Sequence, residues 1–211
     1  GNHDHAVLYE PTNFNTAAER AAYWTRRTLE LEPDDDARRR RWAFLGKLTV
    51  RLREQDVLYV HASPRRPINE YIFPEDVFTN QQKVQANFER LDGQICFVGH
   101  THVPGVFLDD PYFDPPDELP DSPYYEVGDE RAIVNVGSVG QPRDKDPRAS
   151  YVICDRRDTG GTESIVAAAL SSTLEQIEFI RLEYDIDAVV HKILAEPELD
   201  DMLGHRLYEG R

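Results

Sequence analysis

The stretch QICFVGHTHVP, residues 94–104, changes character at its middle. Its first half is an apolar run of strand length that breaks at Gly99, which leaves His100 and His102 standing at a strand end. Residues two apart in an extended segment point the same way, so H-T-H is expected to offer both imidazoles to one side, where they can hold one metal or bridge two. Gly99 removes the Cβ that would hinder a sharp turn. A second apolar run, in TVRLREQDVLYVHASP, ends in the same manner at His61, and the polar EQD before it reads as a hairpin turn. The opening GNHDH places Asn2, His3, Asp4 and His5 together, so five of the seven histidines lie in three short stretches. Imidazole suits Zn, Fe, Mn, Ni or Co, and the amide oxygen of Asn2 is a harder, weaker ligand tolerated beside it. His191 and His205, on the terminal helices, read as structural.

Outward from these stretches the chain alternates strands and helices. NTAAERAAYWTRRTLELEP reads as a helix with Thr16 and Glu19 at capping-box spacing, and TNQQKVQANFERLDG as another with Thr79 and Gln82 in those roles. DDDARRRRWAFLGKL is a helix whose arginines pair with Asp34, Asp35 and Asp36 at i,i+4 spacing, a solvated face rather than a polyanion site. RAIVNVG, ASYVICDRR and EQIEFIRLEYD supply further strands, and the end of the chain forms two short amphipathic helices divided at Pro197. Residues 108–130 show neither period and are expected to form a surface excursion. Residues 158–173 have no clear assignment. The expected class is a layered α/β or α+β domain, a single unit over residues 1–211, with its site at strand ends.

A formal charge of −15, from 39 acidic and 24 basic residues, disfavours duplex nucleic acid, and no apolar run approaches the length of a membrane span. Any anionic substrate therefore needs positive charge concentrated locally. Arg143, in GSVGQPRD, can supply it through bidentate contacts with phosphate oxygens, or can pair with Asp144 or Asp146 instead. Asn135 and Ser138 are expected to shape that loop. Cys96 and Cys154 sit in apolar runs and are expected to be buried free thiols, in keeping with the cytoplasm.

GNHD, VHASP and VGHTHVP, in that order, resemble the later motifs of the calcineurin-like metallophosphoesterases. VHASPRRPINEYIF, FVGHTHVPGVF and NVGSVGQPRDKDPRASYVICD resemble a compact bacterial and archaeal branch, described as phosphodiesterase-like or diadenosine-tetraphosphatase-like. The resemblance implies a four-layer αββα sandwich carrying two divalent metal ions of the Mn, Fe, Zn, Ni or Co class. It implies that Asn2, His61 and His100 ligate the second metal and His102 the first. His3 would be the general acid, with Asp4 orienting it, and a hydroxide bridging the metals would attack phosphorus. The substrate would be a small phosphodiester, phosphomonoester or nucleotide anhydride, and a homo-oligomer is left open.

The D-x-H and G-D-x-x elements that open the family pattern do not occur here, so an N-terminally truncated domain is expected, inactive or impaired alone. A non-catalytic module retaining one metal site is the competing reading.

Overall fold

The computed structural model describes residues 1–158 and 172–211. The first half of the chain runs α1 (Asn2–Leu8), α2 (Thr16–Glu30), α3 (Asp35–Gly46), β1 (Arg51–Glu54), β2 (Val57–Val60), α4 (Asp76–Thr79), α5 (Gln81–Phe88) and β3 (Ile95–Val98). Next come β4 (Gly105–Leu108), β5 (Tyr112–Asp114), β6 (Tyr124–Glu126), β7 (Ala132–Asn135), β8 (Ala149–Asp158) and β9 (Ser172–Leu182). The chain closes with α6 (Ile186–Leu194), α7 (Met202–His205) and a 3₁₀ turn, Arg206–Glu209. Among the described residues no helix is long and apolar enough to cross a membrane.

The strands form two sheets, one ordered β1-β2-β3-β7-β4-β5 and the other β6-β9-β8. In the larger sheet β2, β3 and β7 are parallel neighbours, and every residue of β3 and β7 is buried. Strands covered on both faces need continuous apolar runs, which is why ICFV and AIVN carry no polar alternation inside them until Asn135. Alternate side chains then go to opposite cores. Ile95, Phe97, Val106, Ala132 and Val134 meet Ile177 and Phe179 of β9 between the sheets. Leu58, Cys96, Val98, Phe107 and Ile133 face the other way and are covered by Val77, Val84 and Phe88 of α4 and α5. Each such side chain contributes about 1.5–3 kcal/mol by leaving water. The layered α/β sandwich expected from the sequence is thus present.

Several local expectations are corrected. Asn15, not Thr16, caps α2, its side chain accepting from Ala18 N at 2.9 Å. On α3 the ion pairs fall at i,i+3, Arg38 with Asp35 and Arg39 with Asp36, because the Asp34 carboxylate is occupied as the cap, accepting from Asp36 N and Ala37 N. Thr79 ends α4 and donates to the Glu75 carbonyl, so no Thr79–Gln82 box forms. Residues 108–130 are no mere surface excursion: they hold β5 and β6, and Leu119 is buried between the sheets. Cys96 is buried, but Cys154 is exposed. Both thiols are free. The unassigned residues 158–173 lie almost wholly outside the described residues.

One glycine positions the loop that follows β7. Gly137 has φ 77°, and a Cβ there would stand 2.5 Å from the buried Ser150 Oγ. Gly137→Ala is expected to cost about 1–3 kcal/mol in urea unfolding, from left-handed strain and the clash. Gly140→Ala, where nothing lies within 4 Å, is expected to cost less.

Candidate metal centre

Parallel pairing brings the carboxyl ends of β2 and β3 to the same edge of the sheet. His61 follows Val60 directly, and Gly99 N donates to the His61 carbonyl at 2.9 Å, which fixes the two strand ends together. His61 Nε2 lies 2.8 Å from Asn2 Oδ1 and 3.0 Å from His100 Nδ1. Asn2 gets there as the first residue of α1, with Gly1 against the His61 ring, where a Cβ would stand 2.7 Å from Nδ1.

This donor set fits a cation. A single proton on His61 Nε2 cannot fully serve both the amide oxygen and the His100 nitrogen, so lone pairs face one another. Two donors held about 2.1 Å from one cation at a right angle stand about 3 Å apart, as these do. The imidazoles are also held neutral. Burial is the largest cause lowering His61, to about 3, and His100 and His102 act in the same direction. Burial is the largest cause for His100 and His102 as well, each lowered to about 4. The set is small: among the described residues no group of three or more His, Cys, Asp or Glu is gathered to hold a metal, and the third donor here is the Asn2 amide.

The H-T-H segment is not extended. His100 and His102 have φ of 61° and 63°, and Thr101 N donates to Gly99 O at 2.6 Å, a tight turn. Left-handed backbone at such residues costs about 1–3 kcal/mol each unless the surroundings enforce it. Asn135, 1% exposed at the end of β7, helps enforce it: its amide donates to Gly99 O at 2.8 Å and Thr101 Oγ1 at 2.6 Å. The Asn135 side chain also accepts from Gly137 N, and Ser138 Oγ accepts from Gln141 N, so both residues shape the loop as expected.

The two rings consequently have different neighbours. His100 stacks on Tyr71 with centroids 3.9 Å apart. His102 Nδ1 donates to the Gln141 carbonyl at 2.6 Å, which leaves Nε2 as its lone-pair donor. The VHASP loop is held by the buried Glu70 carboxylate, which accepts from Ser63 Oγ and Asn87 Nδ2 and pairs with Arg65. Sequence reading did not single out Tyr71, Glu70, Asn87 or Gln141. All four lay in quoted stretches, and nothing there marked their partners.

The His3 ring packs 4.8 Å from Phe14. Among the described residues no hydrogen bond joins the Asp4 and His3 side chains, and Asp4 acts on the ring through its charge. Asp4 favours the imidazolium as expected, but burial and Arg143 outweigh it, so the His3 pKa is lowered overall. Both His3 and Asp4 line a cavity of about 450 Å³ together with Val7, Ala22, Phe44 and Leu45.

Arg143 pairs with neither Asp144 nor Asp146. Those carboxylates are engaged by Arg181 and Arg148. Arg143 Nη2 donates to Gln141 Oε1 at 2.9 Å, its backbone N donates to the His102 carbonyl, and its buried Nε has no partner.

Protonation gives a direct check. The folded chain disfavours the His61 imidazolium, so protons bind the unfolded chain first as pH falls below the ordinary value of 6.5. Stability is full above that pH and is lost on descent toward the folded value. For His61 the loss between about pH 7 and about pH 5 is about 2 kcal/mol. In the presence of chelator, the two melting temperatures are expected to lie closer together in His61→Gln than in wild type; an unchanged gap contradicts a neutral His61.

The model of the calcineurin-like phosphoesterase superfamily domain matches residues 1–159. The uncharacterized protein MJ0912 of Methanocaldococcus jannaschii is 33% identical over 221 residues, covering 100% of this chain and 74% of that protein. The crystal structure of a metallophosphoesterase from Sphaerobacter thermophilus is 32% identical and superposes with a TM-score of 0.70, covering 100% of this chain and 75% of that one. The hypothetical protein PH1004 of Pyrococcus horikoshii OT3, 16% identical with a TM-score of 0.64 over 100% of this chain and 71% of that one, shares the fold. The chain belongs to the calcineurin-like phosphoesterase superfamily.

Proposed function

We propose that this protein hydrolyses small phosphate esters, a phosphodiester, phosphomonoester or nucleotide anhydride, at a dinuclear centre of divalent metals. The observation that carries the reading is the convergence of Asn2 Oδ1, His61 Nε2 and His100 Nδ1 at 2.8–3.0 Å. These three would hold one metal, and His102 Nε2 would contribute to the other. Bound there, metals of the Mn, Fe, Zn, Ni or Co class supply positive charge against the phosphate and acidify water.

The remaining chemistry belongs to the chain. A protein of net charge −15 must attract its anion locally, and Arg143, with no carboxylate partner among the described residues, is placed to do so. His3 is held below its usual pKa first by burial and next by Arg143. A phosphate seated on Arg143 cancels that second cause and adds negative charge beside the ring, so substrate arrival itself favours protonated His3. A protonated His3 can then give its proton to the departing alkoxide. The cavity that His3 lines has an apolar wall suited to the organic part of the leaving group. The free thiols Cys96 and Cys154 accord with a reducing, cytoplasmic setting.

The full-length His3→Ala protein is expected to keep its metal content by elemental analysis. It is expected to lose about 100-fold or more in kcat on an alkyl phosphate, within the usual range for acid–base groups, and much less on a nitrophenyl ester, whose leaving group needs no proton. Equal losses on both esters would remove His3 from the general-acid role.

A further inference from the structure

Residues 70–73 alternate between buried and exposed side chains. Glu70 and Ile72 are buried, whereas Tyr71 and Phe73 are 41% and 43% exposed. The two outward rings stack on each other, with centroids 5.3 Å apart and planes within 4° of parallel. The inward residues hold them in place. The Glu70 carboxylate accepts from Ser63 Oγ and Asn87 Nδ2, Ile72 belongs to the core with Leu58, Val77 and Val84, and Phe73 N donates to Asp76 Oδ2 at 2.7 Å.

Tyr71 also stacks on His100, centroids 3.9 Å apart with planes 27° from parallel. Three rings therefore form a step that begins at a buried metal-site imidazole and runs out to solvent. Single exposed apolar side chains are ordinary on a protein surface. Two near-parallel rings, braced from beneath and adjoining the site, instead offer a pre-arranged face on which another flat ring can stack at little cost in side-chain freedom. Neither Tyr71 nor Phe73 lines the cavity that holds His3. With His3 as the acid that serves the departing group, its cavity marks the leaving-group side. The aromatic step is a separate place, and the organic group left to occupy it is the one that stays on phosphorus.

We infer that Tyr71 and Phe73 form an aromatic seat for the ester group retained on phosphorus, a simple aryl ring or a nucleobase. The inference rests on the phosphoesterase reading and narrows it to diesters and nucleotide anhydrides, since a monoester retains no such group.

The test uses the full-length protein as isolated and three diesters with the same leaving group: methyl p-nitrophenyl phosphate, bis(p-nitrophenyl) phosphate and thymidine p-nitrophenyl phosphate. Phe73→Ala is expected to raise KM about 10-fold for at least one aromatic ester and less than about 3-fold for the methyl ester. A larger rise on the thymidine ester identifies a nucleobase seat, and a larger rise on the bis(p-nitrophenyl) ester a simple aryl seat. Phenylphosphonate, titrated calorimetrically, is expected to bind the variant about 10-fold more weakly, with methylphosphonate unchanged. Phe73→Tyr, which keeps a stacking ring, is expected to restore wild-type values and reports on the seat should the alanine variant fold poorly. Equal changes in KM across the three esters, or unchanged phenylphosphonate binding, overturn the seat. So does a changed native mass of Phe73→Ala with unchanged affinities, which assigns the rings to contact between copies of the chain. If wild type cleaves none of the esters yet Phe73→Ala weakens phenylphosphonate alone, the seat stands and the hydrolase reading falls.

Discussion

The contact of His61 Nε2 with both Asn2 Oδ1 and His100 Nδ1 ties three distant parts of the chain to one point. It exists because β2 and β3 are parallel and adjacent, so two strands that each end before a histidine release those histidines at one edge. β7, parallel to β3 on its other side, supplies the buried Asn135 that braces the turn carrying His100 and His102. Loss of any of these pairings would separate donors that the local sequence cannot bring together by itself.

The electrostatics follow from that gathering. Burial holds the imidazoles neutral, with lone pairs rather than charge facing inward, and among the described residues no carboxylate pairs with Arg143. Asp144 and Asp146 could have neutralised Arg143 but are occupied by Arg181 and Arg148. A site built from neutral nitrogens and a guanidinium that no carboxylate of the described residues neutralises suits cations and phosphate together, since each offsets what the other cannot.

Much of this was legible in the sequence where period and punctuation agree. The run ending at His61, the run breaking at Gly99 and the hairpin at residues 51–60 each carried their own signal. The bent H-T-H was not legible, because alternation encodes only extended strands while the left-handed turn depends on Asn135, 34 residues from Thr101. Cys154 was misplaced for a related reason: an apolar run does not tell whether a sheet has a neighbour on that side. The three-residue strands β5 and β6 are too short to show a period.

Whether the convergent donors form a metal site is tested most directly by titrating the full-length protein with Co²⁺ and following its visible absorption, in wild type and in His61→Ala. A metal site at Asn2, His61 and His100 predicts that His61→Ala binds one Co²⁺ fewer per chain than wild type. Equal stoichiometry and equal spectra in the two proteins would contradict it.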